Sequence, residues 1–267
     1  MKFVYILTTD TNSSYFYQMY LSIQSLKKYN PNSEVILVTE KETYNFFTIE
    51  QKNKLDELSV GIIIENIKDF DDMFSKSRWL KSQLYNYIED DFLFIDCDTI
   101  INSSLIEITN TPFNLAFVLN AHQTDFKKRL KEDIKKRIFF TKIDEDLNFS
   151  TSKITRYYNS GVFFCRKTSR NKDFFEMWHK LWLKTSSYGV KVDQVSLNQT
   201  NYIFKDFIDE LDGTWNCQIL RNGARKFYRD AKIIHYYGSD LLNLSKEELQ
   251  ITLPGLVNIY KKIYSEL

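Results

Sequence analysis

Two rhythms of apolar and polar residues alternate along this chain. Short apolar runs are separated by stretches in which apolar residues recur every third or fourth position. "FVYILTT" (3–9) is a run of the first kind. Phe16, Met19, Tyr20, Ile23 and Leu26 follow at helical spacing, behind candidate caps at Ser13 and Ser14. "EVILVT" (34–39) is the next strand, Thr48 and Gln51 have capping-box spacing ahead of a charged helix, and "VGIIIENI" (60–67) is a third strand. The helical period of "SRWLKSQLYNYI" (77–88) leads into the strand "FLFIDCDTII" (92–101). Such βαβα order predicts a mainly parallel sheet flanked by helices, with ligands bound outside the carboxyl ends of the strands.

The second half is less regular. "LAFVLNA" (115–121) predicts a strand, and 122–155 is highly charged, with basic residues clustered from Lys127 to Arg137. "NSGVFFCRK" (159–167) is a strand, while "KDFFEMWHKLWLK" (172–184) and "DQVSLNQTNYIF" (193–204) are helices. "AKIIHYYG" (231–238) is a strand with a polar end, Ser245 and Glu248 form a capping box, and Pro254 interrupts a helical tail. No internal repeat, low-complexity tract or linker divides the chain, so one domain over 1–267 is expected.

Composition narrows the function classes. At 267 residues, 43% of them hydrophobic, the chain can bury a substantial core. Lys+Arg 36 against Asp+Glu 35 leaves a net charge of +1, which supplies no general attraction to nucleic acid. Cys97, Cys165 and Cys217 are odd in number, far apart and set among apolar residues, so they read as buried free thiols of a reducing compartment. The apolar run at the N-terminus is too short for a signal-peptide core, and no stretch approaches the ~18 consecutive apolar residues of a membrane span. The expectation is a soluble, cytoplasmic protein.

The candidate chemistry begins inside "FLFIDCDTII". In a strand, side chains at i and i+2 share a face, so Asp96 and Asp98 would project together and Cys97 would point into the apolar layer behind them. Two close carboxylates repel, and a divalent cation relieves that conflict by taking their oxygens as ligands. The alternative is that the strand ends at Ile95 and leaves both carboxylates in a solvated turn.

D-C-D after an apolar strand, then "YYNSGVFF", "VDQ" and "IIHYYG" occur in an order that resembles the glycogenin-like retaining glycosyltransferases of family 8, which have the GT-A fold. The resemblance runs from "ILTTD" to "HYYG" and implies an α/β fold with a Rossmann-like nucleotide-sugar-binding half, 1–121. The remainder, 122–267, would bind the sugar and acceptor and carry C-terminal helices. It implies a hexosyltransferase-type enzyme (EC 2.4 class), transferring a sugar from a nucleotide donor, a UDP-sugar first, to a glycan or other hydroxyl acceptor.

By that resemblance Asp96, Asp98 and His235 would hold the metal on the donor's diphosphate, with Asp96 also contacting the ribose. The imidazole favours Mn²⁺, with Mg²⁺ as the alternative; without the D-x-D, His235 would read as a core histidine. Thr8, Asp10 and Tyr15 would lie at the base, with Tyr15 either stacking on uracil or packing on the sheet. Lys81 matches a family lysine that reaches the donor, and Arg78 lies one turn earlier on the same helix face, which could otherwise be merely solvated. Asn159 and Ser160 would line the sugar pocket, and Gly161 would permit close backbone approach. Asp193 would bond sugar hydroxyls, and Gln194 would sit beside the anomeric carbon. A neutral amide is a poor nucleophile, which favours a front-face route in which the departing phosphate deprotonates the acceptor. "TWNC" makes Trp215 and Asn216 candidate acceptor contacts.

One departure bears on activity. The family pattern H-x-x-G continues Lys-Pro-Trp, but His235 and Gly238 are followed here by Ser239, Asp240 and Leu241. Arg221, Arg225 or Lys226 could supply the missing cation; otherwise the chain would be a weakly active or inactive relative that binds glycan or nucleotide. Segment 126–142 interleaves basic residues with Phe126, Leu130, Ile134 and Phe139. It is either a solvated amphipathic helix or a contact for an anionic membrane or a phosphate-bearing acceptor.

Overall fold

A computed structural model describes residues 1–10, 15–219 and 221–236. Ser13, Ser14, Gly238 to Leu241, Ser245, Glu248 and Pro254 lie outside the described residues. The parallel strands expected at the start are β1 (Lys2–Leu7), β2 (Glu34–Glu40), β3 (Val60–Glu65) and β4 (Phe92–Ile95). Between them lie α1 (Tyr15–Tyr29), α2 (Lys41–Phe46), α3 (Ile49–Glu57) and α4 (Met73–Tyr87). The Thr48–Gln51 capping box is formed, and Asp72 caps α4 by accepting from the Ser75 amide.

After β4 come β5 (Thr99–Ile101), β6 (Leu115–Leu119), α5 (Phe126–Glu132), α6 (Ile134–Leu147) and β7 (Tyr158–Cys165). The described part ends with α7 (Ser169–Ser187), α8 (Asp193–Ile203), β8 (Asp209–Leu211), β9 (Cys217–Gln218) and β10 (Ile233–His235). The seven-stranded main sheet has the order β3-β2-β1-β4-β7-β6-β8. Every pairing is parallel except the two made by β7, so β7 alone runs against the rest. A second sheet, β5-β10-β9, stands beside it.

Both faces of the main sheet are covered, as a nearly all-parallel sheet requires. The pleat divides its apolar residues between two layers. Tyr5, Leu93 and Ile95 pack with Phe16, Met19 and Ile23 of α1, whereas Val4, Phe92 and Phe94 pack with Leu80, Leu84 and Trp178. In the second layer Phe163 stacks on Phe117 with ring centroids 4.7 Å apart and meets Trp178 edge-on.

Two features differ from the sequence expectation. The run 92–101 is two strands, because the chain leaves the main sheet after Ile95 and enters the smaller sheet at Thr99. The basic segment is two helices, because Asp133 ends α5 and accepts from the Lys136 amide to begin α6. The strand β8 carries no apolar alternation of its own and is held by pairing with β6. We expect Phe163→Ala, which removes a fully buried ring from the aromatic layer, to lower stability by about 3–5 kcal/mol in urea unfolding.

Candidate active site

Three chain segments meet at the carboxyl end of β4. Antiparallel pairing of β4 with β7 continues past Ile95, where the Asp96 amide donates to the Gly161 carbonyl at 2.8 Å. Pairing of β10 with β5 sets His235 opposite Thr99, and the Tyr236 amide donates to the Asp98 carbonyl at 3.1 Å. Ligand-type atoms of Asp96, Asp98 and His235 thereby lie within 4.8 Å of one another. The strand pleat is not what gathers the two carboxylates, since the strand ends at Ile95 as the alternative reading required. The turn 96–98 does so without releasing them to solvent: both are half-buried, and Cys97 between them donates to the Ile6 carbonyl.

Gly161 is the tight point. A Cβ there would come within 2.5 Å of His235 Cε1 and 2.9 Å of Asp96 Oδ2. A bulge delivers it: Phe117 and Val118 of β6 pair with Phe163 and Asn159 of β7, so residues 160–162 swing out of register towards Asp96. Asn159 Oδ1 accepts from the Gly161 amide and from Asn216 Nδ2, both at 2.8 Å. Asn216 Oδ1 in turn receives His235 Nδ1 at 2.9 Å, which turns Nε2 to Asp98 Oδ1 at 3.2 Å. Fixing one ring nitrogen to present the other is how proteins orient a metal-binding histidine.

The charges fit a cation. Burial, together with the neighbouring Asp98, raises the Asp96 carboxyl above its usual range against the pull of Lys81. Burial lowers the affinity of His235 for a proton, yet the carboxylates of Asp98 and Asp96 more than offset this and raise it. Two carboxylates and an oriented imidazole at this spacing suit a transition-metal or Mg²⁺ ion.

Opposite stand the cations of α4. Lys81, only 1% exposed, donates to Asp96 Oδ1 at 2.8 Å and to the Ser160 carbonyl at 3.3 Å. It also lies 3.8 Å from Asp193 Oδ2, and Arg78 Nε is 3.5 Å from Asp193 Oδ1. Burial acts to raise the Asp193 carboxyl, but Lys81 and Arg78 prevail and hold it below the ordinary range. Asp193 Oδ2 and Arg78 Nε are buried without a hydrogen-bond partner among the described residues, so ion-pair contact is what compensates them.

Two cavities meet over Asp96, Asp98, Phe74 and Arg78. The smaller, about 260 Å³, is lined by Thr8, Tyr15, Met73 and Ser77 among others. The larger, about 410 Å³, includes Lys81, Asn159, Ser160, Asp193, Gln194 and His235. Thr8 donates its hydroxyl to the Met73 carbonyl, and Tyr15 is 47% exposed rather than packed on the sheet. Asp10 is exposed and lines neither cavity. Trp215 lies in the core behind the site, so the structure does not bring it to a cavity, and Asn216 acts on His235 from behind. Arg221, Arg225 and Lys226 are exposed and outside both linings.

Several contributors were not picked out in the sequence. Asn198 exchanges bonds with both backbone groups of Tyr158, tying α8 to the start of the β7 bulge. Asn120 lines the larger cavity and accepts from Asn159 at 3.4 Å. Lone asparagines carry no spacing signal; only the bulge and the helix explain them.

The arrangement is a candidate metal-binding triad at the carboxyl end of a mainly parallel sheet, with cations opposite. The chain belongs to glycosyl transferase family 8, whose model matches residues 6–240. It has the GT-A fold shared by its structural neighbours. One is the bifunctional glycosyltransferase WbbM: 17% identical, TM-score 0.61, covering 89% of this chain and 46% of that one. Another is GlyE of Streptococcus pneumoniae: 17% identical, TM-score 0.57, covering 90% and 55%. The galactosyltransferase LgtC, solved with donor and acceptor sugar analogues, is 16% identical with a TM-score of 0.57, covering 89% and 87%. The chain thus spans about half the length of WbbM and GlyE. No curated protein matches it.

The crowding at Gly161 yields a test. Its backbone is outside the left-handed region, so Gly161→Ala strains only the side chains around it. Calorimetric titration with Mn²⁺ should show affinity reduced by about 10–100-fold, with thermal unfolding still cooperative.

Proposed function

We propose that this chain is a metal-dependent, retaining glycosyltransferase that takes a sugar from a UDP-sugar and passes it to a hydroxyl of a glycan or related acceptor. The observation that carries the reading is the convergence of Asp96, Asp98 and oriented His235 where two cavities join. The smaller cavity suits the nucleoside, with Tyr15 at its wall, and the larger suits the sugar and acceptor.

Asp96, Asp98 and His235 would hold Mn²⁺ or Mg²⁺, whose positive charge would offset that of the donor's diphosphate. Lys81 and Arg78 provide fixed positive charge on the opposite side, where a leaving phosphate gathers negative charge. Their hold on Asp193 keeps that residue ionised on the lining of the larger cavity, suited to accepting bonds from sugar hydroxyls. Asn159 and Ser160, on the β7 bulge, border the same space; Asn198 fixes the backbone of the preceding Tyr158, and Asn216 holds the Asn159 side chain. Gln194, also on the lining, carries an amide that can hold a sugar in place but attacks poorly. This supports departure and attack on one face of the sugar, with the leaving phosphate taking the acceptor's proton, and retention follows.

A second surface favours peripheral membrane contact by 126–142. Ile134 and Ile138 of α6 are 60% and 62% exposed, among the exposed cations Lys131, Lys135 and Arg137. Among the described residues no helix is long and apolar enough to cross a membrane. Co-sedimentation should be stronger with phosphatidylserine vesicles than with phosphatidylcholine vesicles; equal recovery removes this contact.

Incubation with Mn²⁺ and a panel of nucleotide sugars should release nucleotide from a UDP-sugar. Asp98→Ala should cut that release by about 100-fold or more. Undiminished turnover in this variant defeats the metal reading, while tight UDP binding without turnover of any donor identifies a binding module instead.

A further inference from the structure

The basic segment of α5 and α6 is not uniform. Lys127, Lys128, Lys131, Lys135 and Arg137 are exposed, whereas Arg129 and Lys136 are half-buried and line the larger cavity. Around them stand Phe126, Phe139, Phe140, Tyr157 and Val192, a mainly aromatic wall. Phe126 lies flat on Tyr157 with centroids 4.3 Å apart and meets Phe140 edge-on, so the inner ends of α5 and α6 are held rigidly.

These cations form a group separate from Lys81 and Arg78. The leading cationic influences on Asp96 and Asp193 come from α4, whereas Arg129 is influenced by Arg221 and Lys136 by Arg129 and then Arg221. Burial first, then the neighbouring positive charges, lowers the proton affinity of both side chains. Among the described residues, the acidic group whose charge acts on both is Asp133, 3.5 Å from Lys136 Nζ, and one of its oxygens is already engaged in capping α6. Among the described residues, one carboxylate against Arg129 and Lys136 leaves the subsite positive.

Building on the glycosyl-transfer reading, we infer that Arg129 and Lys136 bind an anionic group, phosphate or carboxylate, carried by the acceptor. Along the cavity, the metal triad and α4 cations take the donor, and the far wall pairs aromatic faces with charge. A guanidinium and an ammonium on the same cavity lining as these rings match a sugar bearing one acidic substituent: the rings would cover its apolar face and the cations meet its charge. The membrane-facing cations are different residues on the outer side of the same helices.

The test is ligand-observed NMR titration of three small sugars, with UDP and Mg²⁺ filling the donor side. Glucose 6-phosphate and glucuronate probe the two anion chemistries, and methyl glucoside is the neutral control. We expect at least one anionic sugar to bind about tenfold or more tightly than methyl glucoside. That advantage should fall by about 10–100-fold in the double variant R129Q/K136Q. It should persist in K128Q/K131Q, which removes equal charge from exposed positions. A preference shared equally by phosphate and carboxylate, or confined to one, supports the inference and names the group. No preference over methyl glucoside, or a preference that K128Q/K131Q erases as fully, overturns it. UDP that fails to bind in the same samples defeats the donor reading; UDP that binds while the sugars are not distinguished defeats the anionic subsite alone.

Discussion

A missing Cβ holds the site together. Gly161 lies where β7 bulges out of register, and its bare Cα lets the His235 ring and the Asp96 carboxylate close to within van der Waals range of the backbone. A larger residue would force one of them away, since protein interiors have little slack to absorb such a shift. The bulge, the β10 pairing and the Asn159–Asn216–His235 relay all act on this point. The surrounding hydrogen bonds therefore set the geometry of three groups on two different sheets.

Charge sets the second constraint. Concentrating Asp96, Asp98 and Asp193 in a partly buried site costs free energy unless each has a counter-charge. Lys81 reaches two of them from one helix position, and it is almost wholly buried because Phe94 supports its ammonium from below. Asp98 lies beyond that reach and is matched with His235 instead. The division of labour is physical: α4 neutralises the side nearest the larger cavity, and β10 supplies the group beside Asp98.

The sequence was most informative where a period or a motif reflects a single local cause. Strand alternation in β1 and β4, the Thr48–Gln51 cap and the helical period of α4 follow from side-chain direction along regular backbone. Legibility failed where the cause lies in another segment. The end of β4 at Ile95 depends on β10 drawing Thr99 into a second sheet, and β10 is far along the chain. Asp96 and Asp98 were therefore correctly grouped by a pleat argument that does not apply to them. The bulge at 160–162 and the amide relay through Asn216 left no pattern at all, because a bulge is defined by its partner strand. Trp215 was misleading in the opposite way: "TWNC" drew attention to its aromatic ring, which packs into the core, while the neighbouring Asn216 performs the work at the site.

The basic run from Lys127 to Arg137 shows why composition alone could not assign a partner. Counted together, its cations describe one positive helix suited to any anionic surface. Asp133 breaks that helix, and the break places Arg129 near the end of α5 and Lys136 in the first turn of α6, facing one cavity. A cation at a helix C-terminus is favourable, whereas a cation in a first turn opposes the helix dipole. Lys136 is thus held against a local preference, and among the described residues Asp133 is the carboxylate that offsets it. A structural role would be better served by a neutral or acidic residue at that position. The position is instead the one from which an ammonium can enter the cavity, which is the behaviour expected of a side chain placed for a ligand.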